Sequence, residues 1–221
     1  MIELAVAGVA TMAALSGAAS ALILHPGSPL GAPLRRISCG AVALTFDDGP
    51  DPEWTPRVLD RLDRVGAKAS FFVLGTQLKQ FPELVRACAA RGHKVEIHGM
   101  GHRVATLQWP SALGAELASM IGEIEALTGR PPRWYRPPFG ARPLSSRPLG
   151  KLGLVTWSWS CGDWANGASD DQPMPGVSAG DIVLLHDGPT PERGPRARTL
   201  AALTSLAATG RALVSLPDGM V

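Results

Sequence analysis

The 221-residue sequence has little cysteine and almost no net charge. Its three cysteines, Cys39, Cys88 and Cys161, are odd in number and show no paired metal-ligand spacing, which argues against a disulfide framework and a cysteine-based metal site. The 21 basic and 19 acidic residues leave a net charge of only +2, so no basic field gathers phosphates, and we expect no nucleic-acid binding. The chain also lacks the Gly-rich phosphate loops and the S-x-x-K nucleophile motif.

Apolar residues, in contrast, are plentiful. They make up 45% of the chain, and charged residues make up 18%. This composition is typical of a folded globular protein, and the length corresponds to one domain with a short appendage.

The amino end carries the chain's one membrane candidate. Residues 4–24 contain no charged side chain and, as a helix, are long enough to cross ~30 Å of hydrocarbon. Residues 1–24 are therefore predicted to be a transmembrane anchor or a signal segment, with a buried helix as the third alternative. The prolines of residues 25–38 predict a linker. Arg35 and Arg36, which follow the apolar run, favour a cytoplasmic position for the rest of the chain.

Residues 39–221 alternate short apolar runs with helical patterns, which predicts a parallel sheet covered by helices. The apolar runs correspond to seven strands, a number that favours an incomplete barrel. The predicted strands are 41–46, 69–74, 95–97, 134–135, 154–159, 182–185 and 212–216. The predicted helices are 56–65, capped by Thr55, and 78–91, 111–128, 144–151 and 197–209; four of them are followed by a glycine, Gly66, Gly92, Gly129 or Gly210, suited to a left-handed residue.

Polar residues with catalytic potential follow these strands. Parallel α/β folds place their chemistry on the loops beyond the carboxyl ends of the strands. Asp47 and Asp48 follow the first predicted strand, His98 and His102 the third, Arg136 the fourth, Asp163 the fifth, and His186 and Asp187 the sixth. Because these groups fall on one rim, we predict an active site there.

The Asp pair and the two histidines predict a metal site. Adjacent carboxylates repel, so keeping Asp47 and Asp48 both ionised requires a cation or a shared proton. His98 and His102 are spaced i, i+4, which lets both imidazoles reach one metal ion from a helical turn. With one carboxylate of the Asp pair they predict a divalent ion with open positions for water.

Further groups on the rim complete the prediction. Arg136 begins a stiff Arg-Pro-Pro-Phe-Gly turn and can orient a carboxylate of the Asp pair. His186 lies at the mouth of a buried strand and is suited to proton transfer. Trp164 is expected to form a pocket wall, whereas Trp157 and Trp159, on the same face of one predicted strand, are expected to pack in the core.

At these motifs the sequence resembles the polysaccharide deacetylase family, the NodB-type domain of carbohydrate esterase family 4, over about residues 40–218. The resemblance implies a distorted seven-stranded (β/α) barrel for residues 39–221. It implies these roles: Asp47 as general base, held by Arg136; Asp48, His98 and His102 as ligands of one divalent metal ion; His186 as general acid, tuned by Asp163; and Phe139, Trp164 and Leu184 as substrate-binding residues. Zinc is the expected metal, with cobalt, nickel or manganese as alternatives. Gly99 and Ser160 stand where the family usually has a Ser or Thr and an Asp.

The resemblance implies a metal-dependent hydrolase that removes the N-acetyl group of an amino-sugar glycan, leaving a free amine and acetate. Two alternatives stay open: a deformylase or other amidohydrolase acting on a lipid-linked sugar or small amide, and an inactive domain that binds glycan through its tryptophans. The expected partners are an N-acetylated glycan or lipid-linked sugar and, through residues 4–24, a membrane. We therefore expect a membrane-anchored or secreted protein of the cell envelope, with the cytoplasmic face as the alternative that Arg35 and Arg36 favour.

Overall fold

A computed structural model describes residues 32–164, 176–188 and 196–219. Within these ranges, eight strands form one parallel sheet in the order β5-β4-β3-β2-β1-β7-β6, and β8 pairs with the start of β1. The strands are β1 Val42–Asp47, β2 Ser70–Leu74, β3 Lys94–Gly99, β4 Trp134–Tyr135, β5 Gly153–Leu154, β6 Trp159–Ser160, β7 Ile182–His186 and β8 Leu213–Val214. The α-helices are α1 Trp54–Arg64, α2 Gly75–Gln80, α3 Pro82–Ala90, α4 Pro110–Thr128 and α5 Ala197–Ala208. Short 3₁₀ helices span Ala105–Leu107, Pro138–Gly140 and Arg147–Leu149.

The parallel sheet with covering helices confirms the predicted α/β class and is consistent with a (β/α) barrel. The predicted strand 154–159 is wrong, because it is two strands, β5 and β6, at opposite ends of the sheet order. The Val155 N–H donates to the carbonyl of Tyr135 on β4, whereas the Ser158 N–H donates to Ile182 on β7. Only residues 155–158 separate the two end strands, so the sheet must curl until its edges approach each other.

Residues near the described amino end fill the seam between these edges. Leu34 forms a parallel bridge with Val155, and Arg36 forms an antiparallel bridge and a side-chain ion pair with Asp181. Ile37 is buried. Residues 34–37, which the sequence places in the linker, thus belong to the folded barrel. The helix predicted over residues 4–24 lies outside the described residues, and none of the helices within them is long and apolar enough to span a bilayer.

Three helix predictions need correction. The predicted helix 78–91 is two helices, α2 and α3, because Pro82 has no N–H to continue the first and instead begins the second. The predicted helix 144–151 is only the 3₁₀ turn Arg147–Leu149. Thr55 is not the cap of α1: the Asp51 carboxylate accepts the N–H groups of Glu53 and Trp54. The four glycines expected after helices do adopt positive φ, between 64° and 78°.

The two faces of the strands explain where the site lies. On β1, Val42, Leu44 and Phe46 pack outward against the helices in the larger apolar cluster, while Ala43 belongs to the smaller cluster inside the barrel. Because side chains alternate along a strand, Thr45 and Asp47 share the inner face with Ala43. Strand termini on this face therefore deliver polar side chains into the mouth of the barrel.

Candidate active site

A cavity of about 260 Å³ opens at the carboxyl ends of the strands. Asp47 on β1 and His186 on β7 are paired neighbours in the sheet, so their side chains lie next to each other at the floor of the cavity. The lining residues are Asp47, His98, His102, Pro137, Phe139, Trp157, Trp164, Leu184 and His186. These residues come from strands β1, β3 and β7 and from the loops that follow β3, β4, β5 and β6, so the structure brings groups from separate strands together at one cavity.

Asp48, His98 and His102 form a cluster with the geometry of a metal site. One ligand atom from each lies within 4.8 Å of the others, and Asp48 Oδ1 is 3.4 Å from the Nε2 atoms of both histidines. His98 Nδ1 lies 2.8 Å from the carbonyl oxygen of Arg136, which can only accept a hydrogen bond. The proton of His98 is therefore on Nδ1, and Nε2 presents its lone pair to the cluster. This donor set suits a divalent ion such as zinc.

The electrostatics of the cluster also favour a cation. Burial disfavours the charged forms of both Asp48 and His98, but the interactions between the carboxylates and the histidines outweigh this effect. The neighbouring histidines lower the pKa of Asp48 far below its ordinary value. The carboxylates of Asp47 and Asp48 raise the pKa of His98 in spite of its burial. Asp48 and His98 thus stabilise each other's charged forms, and a cation bound between them would take the place of a proton on His98 Nε2.

Asp47 is held by a buried arginine. Arg136 is fully buried, and its Nη1 donates 2.8 Å hydrogen bonds to Asp47 Oδ1 and Thr45 Oγ1. Its Nη2 donates to the Thr156 carbonyl at 3.0 Å, and its guanidinium stacks on the Phe72 ring at 4.3 Å. Because these contacts fix the guanidinium, they also fix Asp47 Oδ1. Asp47 Oδ2 then lies on the side of His98, 3.8 Å from His98 Nε2.

His186 is oriented by Asp163. Asp163 Oδ1 lies 2.9 Å from His186 Nδ1, and Oδ2 accepts the His186 backbone N–H at 2.8 Å. Burial alone would raise the pKa of Asp163, but the charge of His186 and the hydrogen bonds from His186 and Thr199 lower it. An ionised Asp163 holds the proton on Nδ1 and leaves His186 Nε2 for chemistry at the cavity.

The apolar wall of the cavity corrects one expectation. Trp164 packs edge-on against the His186 ring, with the ring centroids 5.8 Å apart. Phe139 packs in the same way against His102, with the ring centroids 4.3 Å apart. Trp159 is in the core as predicted, but Trp157 lines the cavity. Trp157 also packs against the smaller apolar cluster, so its predicted packing role is confirmed in part; it reaches the cavity as well because the chain leaves the sheet between β5 and β6.

Other contributors give no clear sequence signal. Thr199, buried on α5, places its hydroxyl 2.6 Å from Asp163 Oδ2. Glu116 of α4 accepts the Met100 N–H at 2.6 Å and pairs with Arg103 at 2.9 Å. It therefore supports the loop that contains Gly99, the position at which the family usually has a Ser or Thr. Helix periodicity alone does not distinguish either residue from its neighbours.

Asp187, predicted on the rim, lies behind the cavity rather than in its lining. It is buried, accepts a 2.6 Å hydrogen bond from Thr55, and its carboxylate fills the space beside Gly49, where an added Cβ would lie 2.4 Å from it. Burial chiefly raises the pKa of Asp187 to about 7. Asp187 therefore supports the Asp48–Gly49 turn from the side behind the cavity.

The chain matches the family model described as polysaccharide deacetylase over residues 35–156. A peptidoglycan-N-acetylglucosamine deacetylase of Bacillus cereus is 34% identical over 174 residues, which cover 75% of this chain and 79% of that protein. A chitooligosaccharide deacetylase of Bradyrhizobium is 37% identical over 158 residues, covering 68% and 72%. A 36% identical peptidoglycan-N-acetylglucosamine deacetylase of Listeria monocytogenes is longer, and the match covers 32% of it.

Solved structures give the same picture. The Bc1960 peptidoglycan N-acetylglucosamine deacetylase superposes with a TM-score of 0.73 at 29% identity, covering 82% of this chain and 88% of that one. The peptidoglycan deacetylase PdaC of Bacillus subtilis superposes with a TM-score of 0.71 at 27% identity, covering 81% and 89%. A family pseudoenzyme of Bacillus anthracis, at 23% identity, shares the fold with a TM-score of 0.71 and covers 86% and 70%.

Proposed function

The chain belongs to the polysaccharide deacetylase family, whose members are hydrolases of N-acetyl amide bonds, and we propose that it deacetylates N-acetylglucosamine units of a glycan. The observation that carries this proposal is the pairing of Asp47 and His186. They face the same cavity from adjacent strands, each held by its own buried partner, beside the Asp48–His98–His102 cluster. Such an arrangement supplies a base and an acid on the two sides of one amide.

Asp48, His98 and His102 would hold the metal, and zinc suits their donor set best. A divalent ion supplies Lewis acidity, lowering the pKa of water and polarising the amide carbonyl. Asp47, fixed through Oδ1 by Arg136, would accept the proton of the attacking water through its other oxygen. The Phe139 N–H would donate to the oxyanion, an interaction often worth ~3–4 kcal/mol.

His186 would act as the general acid and donate the proton on its Nε2 to the leaving nitrogen, while Asp47 keeps the proton taken from water. Its Nδ1 is held by Asp163, so Nε2 is the atom that faces the cavity. Trp164, Leu184 and Trp157 form an apolar wall that accepts a methyl group and excludes water from the acetyl side. The free amine and acetate are the products.

The test is acetate release from chitooligosaccharides and peptidoglycan, with and without a chelator. We expect chelator-sensitive acetate release and about one metal ion per chain. Asp47→Asn and His186→Ala should each lose ~10²- to 10⁴-fold in rate and keep the metal, whereas His102→Ala should lose both. Metal-loaded protein that binds these glycans but releases no acetate would instead identify an inactive binding domain.

Amine release without acetate distinguishes the second candidate, a deformylase acting on a lipid-linked sugar. The charge-free run over residues 4–24 keeps that candidate open, since it suits a membrane-tethered enzyme of the cell envelope. Fractionation of cells, followed by protease protection in intact cells and spheroplasts, tests the tether and its orientation. Full-length protein found entirely in the soluble fraction would refute the tether.

A further inference from the structure

The loop between the two histidines of the cluster is held at its midpoint. Met100 lies two residues from both His98 and His102, so its position fixes the path of the chain between them. Its N–H donates to Glu116 Oε1 of α4 at 2.6 Å, and its carbonyl accepts the Thr76 N–H of α2 at 2.9 Å. Two helices therefore hold both backbone groups of one loop residue. We call Met100 with these two partners the Met100 anchor.

The Met100 side chain adds a packing contact on the side of α2. It packs against the larger apolar cluster and over Gly75, the first residue of α2. A Cβ added at Gly75 would lie 2.5 Å from Met100 Sδ and 3.1 Å from Met100 Cα. Because the Cα is close as well as the sulfur, a larger residue at position 75 would displace the backbone of the loop and not only the end of a flexible side chain.

A single carboxylate contacts the loop both before and after His102. Glu116 Oε1 accepts the Met100 N–H, and Glu116 Oε2 pairs at 2.9 Å with Arg103, the residue that follows His102. The Glu116 side chain is only 10% exposed, so its charge-assisted hydrogen bond to Met100 is largely shielded from water. Gly99 has a φ of 105° and no side chain, which leaves room for this carboxylate: an added Cβ would lie 3.4 Å from Glu116 Oε1.

The two histidines differ in what fixes them. His98 lies on β3, and its Nδ1 is 2.8 Å from the Arg136 carbonyl oxygen. His102 lies beyond the end of β3, so its distance from His98 depends on the path of the loop. Zinc–nitrogen bonds are about 2.0–2.1 Å long and tolerate only small deviations, so a displacement of the loop by ~1 Å would take one imidazole out of bonding distance.

We propose that the Met100 anchor sets the spacing between His98 and His102 and thereby the affinity of the site for its metal ion. Glu116 and Gly75 are then positioning residues, which act through the loop and do not touch the metal or the substrate. This inference rests on the metal site of the proposed function. It adds to that function the groups outside the ligand set that determine how tightly the ion is held.

The test measures zinc affinity of the full-length chain by competition with a chromogenic chelator, together with the visible absorption spectrum of the cobalt form. Glu116→Ala should weaken zinc binding about 10- to 100-fold, as removal of partners outside the ligand set typically does, and should change the cobalt spectrum. Glu116→Gln keeps an oxygen that can accept the Met100 N–H and should restore most of the affinity. Gly75→Ala should weaken binding by displacing Met100 from the opposite side.

Glu123→Ala is the matched control. Glu123 lies on the same helix and carries the same charge, but it pairs with Lys79 at 3.3 Å on the surface. Its removal should leave zinc affinity and the cobalt spectrum as in wild type. Urea unfolding in the presence of a chelator shows whether each variant is folded, and if Glu116→Ala is unfolded, Gly75→Ala and Glu116→Gln decide the result.

Three results would overturn the proposal: wild-type affinity in both Glu116→Ala and Gly75→Ala, an equal loss in Glu123→Ala, or weakened binding with an unchanged cobalt spectrum, which would indicate general destabilisation. Wild type that binds zinc but releases no acetate would refute the deacetylase function, and the zinc affinities of the variants would still decide the role of the anchor. Wild type without zinc affinity would overturn both the metal site and the anchor.

Discussion

Replacing Arg136 by methionine should destabilise the barrel strongly, because Asp47 would stay buried without its partner. The two side chains are 0% and 4% exposed, and Nη1 lies 2.8 Å from Asp47 Oδ1. Removing one member of a buried ion pair typically costs ~3–5 kcal/mol, since the remaining charge is desolvated and uncompensated. The Thr45 hydroxyl and the Thr156 carbonyl also lose a donor, so the upper half of this range is expected.

A double-mutant cycle with Asp47→Asn separates the ion pair from these other contacts. The double variant has no buried charge at this position, so its loss of unfolding free energy should be smaller than the sum of the single losses by ~1–3 kcal/mol. The measurement is urea unfolding in the presence of a chelator, which removes the contribution of metal binding to stability.

Arg91→Met is the matched control. Arg91 pairs at 2.8 Å with Asp60 on the surface, where the side chains are 37% and 56% exposed. Its loss should not exceed ~1 kcal/mol, because water screens the pair. Additive single losses at Arg136 and Asp47, or a loss at Arg136 no larger than that of the control, would refute the view that a buried charge pair holds the base.

Three further predictions follow from buried contacts. Thr199→Val should lower kcat about tenfold with little change in KM, because Asp163 loses the hydroxyl at 2.6 Å, and Thr199→Ser should restore it; equal kinetics for both variants would contradict this role. Burial raises the pKa of Glu96 from 4.5 to about 7, so the native state keeps a proton that the unfolded chain releases. The stability of wild type relative to Glu96→Gln should therefore fall by up to about 3 kcal/mol as pH rises through that window, and a difference independent of pH would contradict it. Deleting residues 1–31 should preserve the unfolding midpoint in urea, whereas deleting 1–37 should lower stability by about 2–4 kcal/mol, because Ile37 and the Arg36–Asp181 pair are lost; equal midpoints would contradict the seam.

Local sequence patterns were sufficient for most elements and for the identity of the rim residues. Apolar runs ending in Asp47, His98 or His186 predict both a buried strand and an active-site residue at its carboxyl end, because a parallel sheet aligns the carboxyl ends of its strands. They were insufficient where tertiary contacts override them. Residues 154–159 have the composition of one strand, yet their backbone groups pair with β4 at one end and with β7 at the other.

The sequence by itself determined the α/β class, the one-rim location of the site and the residue types in it, since period-two patterns and i, i+4 spacing are local properties of the chain. Tertiary structure alone decided which groups besides Arg136 and Asp163 hold those residues in place. Thr199 reaches Asp163 from a helix 36 residues further along the chain, and Glu116 reaches Met100 from 16 residues away. The seam at Leu34 depends on closure of the barrel, more than 100 residues from its partner Val155. Such contacts depend on how the sheet and helices pack, because neither partner carries a local signal of the other.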